Sequence, residues 1–221
     1  MSDKAFRIYI VLIGAICGYA VIRHFLSADS LTLRNALVQG VFVGYGLAVV
    51  TIEIVARLKM VRINGWVTAF GCGLPSNRMF TRAAHTRIFP GPINVPDEAM
   101  YWRTNVDAAG RALSGEHDYV VHFPPGGLPP NDAFWSLTMA DAKERFVANR
   151  LNRYVVGDRS GLEANADGSV DAYVQVAAPV GHESNWLPAP PGNFRLWLRV
   201  YMPGAAVLDG TYMVPQVVKT R

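Results

Sequence analysis

Two long apolar runs at the start of the sequence constrain the fold more than any other feature. The first, at about 8–26, carries no charge before Arg23, and the second, at about 36–56, contains one charged residue, Glu53. A helix that crosses a bilayer needs about 20 mainly apolar residues. The sequence therefore predicts two transmembrane α-helices within a membrane anchor of residues 1–62.

A cleaved signal peptide is the competing interpretation of the first run, because Lys4 and Arg7 precede it. No motif of small residues for cleavage follows, and the second run comes soon after, so we favour a retained helical hairpin. Both runs contain glycines four residues apart, which let helix backbones approach closely. Packing within the hairpin and docking against another membrane protein or a second copy are both open for these glycines, which are Gly14, Gly18, Gly40 and Gly44.

Basic residues near the spans indicate their orientation, because Lys and Arg are enriched on the cytoplasmic side of a membrane. Five lie outside the pair of spans and two lie in the connecting loop; in chain order they are Lys4, Arg7, Arg23, Arg34, Arg57, Lys59 and Arg62. This distribution favours a two-pass protein of a bacterial inner membrane with both termini in the cytoplasm.

Composition supports a lipid bilayer as a partner. Hydrophobic residues make up 51% of the 221-residue chain and charged residues 17%, against a usual charged share of about 25%. The net charge of +4 does not predict nucleic-acid binding, because the basic residues are scattered and several flank the apolar runs. Two cysteines and five histidines show no metal-ligand spacing, so we predict no metal and no cofactor.

Residues 63–99 are rich in glycine, proline and arginine, with aromatic residues between them. We interpret them as a linker into the next domain. A second interpretation places the segment along the membrane interface, with aromatic rings at headgroup depth and arginines on phosphates.

From about residue 100 the apolar pattern changes to alternation, with turn signals at short intervals, which is typical of an antiparallel β-sandwich. The predicted strands are 118–123, 133–139, 153–158, 169–176, 194–202 and 211–218, and residues 139–151 are predicted to be helical. The domain is predicted to cover residues 100–221.

The strand at 194–202 divides cleanly into two faces, because successive side chains of a strand point to opposite sides. Phe194, Leu196, Leu198 and Val200 form the predicted core face, and Arg195, Trp197, Arg199 and Tyr201 form the other. The strand at 169–176 is taken as its neighbour and places Tyr173 beside them. Such an Arg–aromatic face is typical of ligand grooves and protein interfaces, and an ordinary outer sheet face covered by loops is the alternative.

Several motifs in this region resemble the bacterial family called domain of unknown function 1214 (DUF1214), often paired with DUF1254. The resemblance runs from about Tyr101 to Val218 through "AFWSLTM", "NRLNRYVVGDRSGL", "DGSVDAYVQ" and "NWLPAPPGNFRLWLRVYMP". It implies a jelly-roll-like sandwich that is usually oligomeric and exported. Export would place the domain in the periplasm, whereas the distribution of basic residues favours the cytoplasm. The family motifs also contribute candidate site residues, namely Trp135, Asn152, Arg153, Asn185 and Trp186.

Two functions from different classes follow. The favoured one is a membrane-anchored binding or accessory subunit, whose sandwich contacts partner subunits or a second copy through the Arg–aromatic face. The alternative is an envelope enzyme acting on a carbohydrate or a lipid headgroup. Its cleft would be lined by Asn152, Arg153, Asn185, Trp186, Arg199 and Tyr201. A deep pocket in which two carboxylates converge with Arg199 would favour the enzyme, because glycoside hydrolysis needs two carboxylates, and a flat or chain-covered face would favour the binding subunit.

Overall fold

The computed structural model describes residues 12–20, 23 and 33–221. The chain forms two compact units. The first comprises the described residues up to Lys59 together with Asn77–Pro90, and the second comprises Met60–Ser76 together with Gly91–Arg221.

The first unit is helical and contains α1 (Leu33–Lys59) and α2 (Met79–Ile88). Within the described residues one helix, Val38–Lys59, is long and apolar enough to cross a membrane, and it covers most of the predicted second span. Of the predicted first span only residues 12–20 and 23 are described, and they are helical. The other residues of that span lie outside the described ones, so one candidate span is found among the described residues and the first span stays a prediction.

The one acidic residue of the predicted second span is paired. Arg87 Nε of α2 donates a hydrogen bond to Glu53 Oε1 of α1 over 2.6 Å. A carboxylate in a span is costly unless it has a partner, and the pair neutralises it.

The second unit is mainly β, as predicted. Its ten strands are β1 (Val61–Ile63), β2 (Trp66–Thr68), β3 (Ala99–Thr104), β4 (Tyr119–Phe123), β5 (Asn131–Asp141), β6 (Val155–Gly157), β7 (Val170–Gln175), β8 (Trp186–Pro188), β9 (Phe194–Pro203) and β10 (Val217–Lys219). They form a six-stranded sheet in the order β1-β2-β3-β9-β5-β6 and a four-stranded sheet in the order β10-β4-β7-β8. A 3₁₀ turn (Glu183–Asn185) precedes β8, and a short helix, α3 (Ala205–Leu208), follows β9.

The core contains the side chains that alternation placed there. Phe194, Leu196, Leu198 and Val200 of β9 are each at most 1% exposed, so the predicted core face is confirmed. Each such side chain contributes about 1.5–3 kcal/mol by leaving water. Three tryptophans complete the centre of the core, namely Trp66, Trp102 and Trp135.

The antiparallel prediction is wrong for one pair of strands, and so is the predicted position of β7. β7 lies in the four-stranded sheet between β4 and β8, while β3 and β5 flank β9. The β7–β8 pair is parallel, because the chain between them returns through the 3₁₀ turn before it pairs again. The jelly-roll topology stays a prediction.

The helix predicted over residues 139–151 is also wrong. β5 continues to Asp141, whose side chain accepts hydrogen bonds from the amides of Lys143 and Arg145. Asp residues favour such turns because the carboxylate satisfies nearby amides in place of a helix. The predicted linker 63–99 contains regular structure as well, because β2 and α2 lie within it.

Candidate functional site

The outer face of the six-stranded sheet centres on β9. Arg195, Trp197, Arg199 and Tyr201 lie on this face, as alternation predicts. The register of β3 and β5 with β9 adds further side chains to the same face, namely Tyr101, Arg103, Phe134, Ser136 and Thr138. We call these nine residues the outer face.

One carboxylate, that of Glu144, reaches over the outer face. Its Oε1 accepts hydrogen bonds from Arg195 Nη1 and, over 3.4 Å, from Arg103 Nη1. Its Oε2 accepts a hydrogen bond from Trp197 Nε1 over 2.7 Å. These contacts are half-buried, with 21% of the Glu144 side chain exposed, so solvent screens them only in part. Two arginines and the indole are thereby held by one side chain.

The turn after β5 positions Glu144. Its φ is +63°, in the left-handed region that costs a non-glycine residue about 1–2 kcal/mol. Asp141 stabilises the turn, because its carboxylate also accepts hydrogen bonds from the Arg145 guanidinium. The Arg145 amide and then the Arg145 side chain hold the pKa of Asp141 below its usual range. A side chain kept in a costly conformation that reaches other functional groups is typical of functional sites.

Arg199 has a different environment from Arg195. Its Nη1 donates to Thr138 Oγ1 over 2.9 Å, and its guanidinium lies 5.2 Å from the centre of the Trp197 ring. No described carboxylate lies within 4 Å of the Arg199 guanidinium. Burial lowers the pKa of Arg199, because desolvation disfavours the charged form.

An aromatic pair lies beside Arg199. The rings of Phe134 and Tyr201 stack with centres 4.3 Å apart and planes 19° apart, and the Arg159 guanidinium lies 4.3 Å from the centre of the Phe134 ring. Tyr101 is largely buried, and its hydroxyl contacts Asn94. Burial raises the pKa of Tyr101, so the hydroxyl stays protonated and can donate.

Cys72 is buried, and burial raises the pKa of its thiol from 9.0 to about 12. Because the thiolate is the reactive form, we expect iodoacetamide at pH 8 to alkylate Cys72 in the folded chain about a thousandfold more slowly than after unfolding. Mass spectrometry of the Cys72 peptide, with and without guanidinium chloride, measures both rates. Equal rates would contradict the buried placement.

Of the ten candidate ligand or partner residues, the structure brings Arg195, Trp197, Arg199 and Tyr201 together. Trp135 is not on the outer face, because it lies opposite Val200 in register and points into the core, where its ring is 5.0 Å from that of Phe123. Sequence reasoning missed Glu144 and Arg103, since nothing in the linear sequence links them to β9.

Four other candidates do not line the outer face, and three of them, Arg153, Asn185 and Trp186, stabilise the chain around the 3₁₀ turn. Arg153 Nη1 donates to the carbonyls of Glu183 and Trp186 over 2.6 and 3.1 Å. The Asn185 amide is buried, with hydrogen bonds to the backbone of Glu163 and to the Asp171 carbonyl, and Trp186 Nε1 donates to the Gln175 carbonyl. Asn152 is a left-handed residue that accepts a hydrogen bond from the Tyr154 hydroxyl.

Tyr173 lies on the other sheet, where its ring stacks on His182 at 4.9 Å. On the neighbouring strand His122 Nδ1 lies 2.7 Å from Asp171 Oδ1, a cross-strand pair that sequence spacing did not indicate. In the described part of the chain no group of three or more His, Cys, Asp or Glu side chains is placed to hold a metal ion.

The helix glycines divide into two kinds. A Cβ atom at Gly46 would lie 2.9 Å from Cys17 Sγ, so α1 and the helical residues 12–20 approach closely there. A Cβ at any of the four predicted packing glycines would meet no atom within 4 Å among the described residues; these are Gly14, Gly18, Gly40 and Gly44.

Comparison with one solved structure supports this fold. The structure is similar to the crystal structure of the VPA0106 protein from Vibrio parahaemolyticus, with a TM-score of 0.64, 23% identity, and coverage of 87% of this chain and 47% of that one. A putative uncharacterized protein from Burkholderia cenocepacia gives a TM-score of 0.40 and 16% identity, over 94% of this chain and 49% of that one. This chain thus spans about half the length of these solved proteins.

No curated protein matches the sequence. The family model described as "Protein of unknown function (DUF1214)" matches residues 98–205, which run from β3 through β9 and include all nine residues of the outer face. Residues 98–205 are therefore a DUF1214 domain, as the sequence motifs predicted.

Proposed function

We propose that this chain is a membrane-anchored subunit that assembles with other membrane proteins and carries the sandwich as its binding domain. The observation behind this proposal is the uncovered apolar surface of α1. Only 6% of its candidate span is buried, and Val41, Phe42 and Tyr45 are each at least 70% exposed. Apolar surface of this extent needs lipid or protein to cover it.

The helix glycines support docking in the bilayer. The close approach at Gly46 uses one small residue for packing inside the first unit, which favours a helical hairpin and hence the two-pass topology. Gly40 and Gly44 leave a smooth strip of α1 open among the described residues. Small residues on an open strip allow another helix to approach closely.

The outer face favours binding over glycoside hydrolysis. The Glu144 carboxylate, which reaches this face, is already bonded to Arg195 and Trp197. A pair of facing carboxylates, which the enzyme alternative needs, is not found there among the described residues. A face of arginines and aromatic rings instead suits recognition of a ligand or partner.

Gentle detergent extraction of the native membrane, followed by size separation and identification of the comigrating proteins, tests the proposal. We expect reproducible comigration with a defined complex. The double variant Gly40→Leu/Gly44→Leu should lose most of that comigration, because the larger side chains keep a partner helix away. Val41→Leu, an exposed neighbour on α1, is the matched control and should retain it. Migration of the wild-type chain as a lone homo-oligomer would contradict the accessory role.

A further inference from the structure

Arg199 lies at the centre of the outer face with donors that the protein does not use. An arginine carries five N–H donors, and the Arg199 guanidinium makes one hydrogen bond to a described residue, the bond to Thr138. No nitrogen of Arg199 is both sealed from solvent and unpaired. The unused donors are therefore accessible from outside the protein.

Two hydroxyls lie close to this guanidinium. Ser136 is directly opposite Arg199 in the register of β5 with β9, and Tyr201 is two residues further along the same face. Neither hydroxyl has a hydrogen-bond partner among the described residues. Both hydroxyls therefore keep a donor that the described residues do not use.

The residues next to Arg199 on β5 and β6 are small. Ser136 pairs with Gly157 of β6, so two of the smallest residues lie next to each other there. Gly157 is required at this point, because a Cβ would lie 2.2 Å from the Trp135 carbonyl oxygen. The stacked rings of Phe134 and Tyr201 lie on one side of these small residues.

The positive charge of Arg199 indicates that the ligand is an anion. Glu144 satisfies Arg195 but lies beyond ion-pair distance from Arg199, so Arg199 keeps its positive charge without a described partner carboxylate. Holding a desolvated cation without a counter-ion costs stability, and proteins retain such costs where function needs them. An anion with several acceptor oxygens would supply the missing partner.

We propose that Arg199, Ser136 and Tyr201 bind the oxyanion of a small molecule, either a carboxylate or a phosphate. The guanidinium donates two N–H groups to the oxyanion, because Arg forms bidentate pairs with both groups. The two hydroxyls donate to its remaining oxygens. The Phe134–Tyr201 stack contacts the body of the ligand.

Thermal melting of the purified full chain in detergent, at constant ionic strength, tests this site with inorganic phosphate and with succinate as probes. We expect the wild-type melting temperature to rise with at least one probe at concentrations up to about 50 mM, since a ligand that binds only the folded state stabilises it. A rise with phosphate alone assigns a phosphate ligand, and a rise with succinate alone assigns a carboxylate. No rise with either probe overturns the proposal.

Variants test whether the ligand-dependent rise in melting temperature depends on Arg199 and Tyr201. Arg199→Met should weaken probe binding about ten- to a hundredfold, and Tyr201→Phe, which keeps the ring, about three- to tenfold. Arg195→Met is the matched control on the same strand and face: its melting temperature without ligand should fall, but the ligand-dependent rise should remain. A rise that persists in Arg199→Met, or one that is lost equally in Arg195→Met, overturns the proposal.

Arg199→Met should also melt at the same or a higher temperature than wild type in ligand-free buffer, because it removes an unpaired half-buried charge. If that variant does not fold, Arg199→Lys and Tyr201→Phe test the proposal instead. Arg199→Lys loses the bidentate contact but keeps the charge, and Tyr201→Phe loses the hydroxyl donor but keeps the ring. These measurements need no partner protein. Failure of the comigration experiment would therefore leave this result unaffected.

Discussion

Replacing Gly115 by alanine is expected to lower the free energy of unfolding of the sandwich by about 3 kcal/mol or more. A Cβ at this position would lie 1.9 Å from the Pro190 carbonyl oxygen and 2.8 Å from Pro191 Cα. Both atoms belong to the backbone of a Pro-Pro segment, which cannot move aside as a flexible side chain can. The Gly115 amide also donates to the Gly192 carbonyl over 3.1 Å, so a displacement breaks that bond.

Gly192→Ala is the matched control for this prediction. Gly192 lies in the same contact between segments and is exposed, and a Cβ added there would meet no atom within 4 Å. We expect its effect to stay within about 0.5 kcal/mol. Chemical unfolding followed by tryptophan fluorescence measures both variants, and equal effects would show that the close approach at Gly115 does not govern stability.

Removing the Glu144 carboxylate is expected to have the second large effect. Glu144→Ala leaves Arg195, Arg103 and the Trp197 indole without the acceptor that they share. The Arg103 and Arg195 side chains are 20% and 32% exposed, so water replaces the carboxylate only in part. We expect a loss of about 2–3 kcal/mol in the free energy of unfolding.

Glu144→Gly separates the carboxylate from the backbone conformation. Both variants lose the side chain, but glycine adopts a φ of +63° without strain. Glu144→Gly should therefore be more stable than Glu144→Ala by about 1 kcal/mol. Chemical unfolding of the two variants measures this order, and the reverse order would contradict a cost at this position.

Arg145→Ala is the control in the same turn. Its guanidinium pairs with Asp141, but 68% of the side chain is exposed. Exposed ion pairs contribute little, because water and salt screen them. We expect a change below about 1 kcal/mol, and a loss as large as that of Glu144→Ala would mean that the whole turn, rather than the Glu144 carboxylate, determines the stability.

Sequence patterns predicted what depends on periodicity and length. Alternation along β9 assigned Leu196 to the core and Arg199 to the opposite face without knowledge of the neighbouring strands. The length and apolarity of the second run likewise predicted the candidate span in α1. Both inferences use residues close together in the chain, where local geometry determines which way a side chain points.

Pairing between distant segments was not predictable in the same way. β7 was assigned beside β9, and the structure places β3 and β5 there, because strand order depends on packing across the whole domain. The contact of Glu144 with the outer face was not predicted for the same reason. The turn at Asp141, which stands in place of the predicted helix, was not predicted either. Short polar residues such as Asp compete with helical hydrogen bonding, and that signal was present at Asp141.

The position of β9 at the centre of its sheet has a consequence for biosynthesis. β3 and β5 each pair with β9 along their length, yet β9 leaves the ribosome after both of them. Until it arrives, both earlier strands present open edges, which readily pair with other chains. Because α1 precedes every strand, membrane insertion of this helix during synthesis would tether the unfinished domain to the bilayer and limit such encounters between nascent copies.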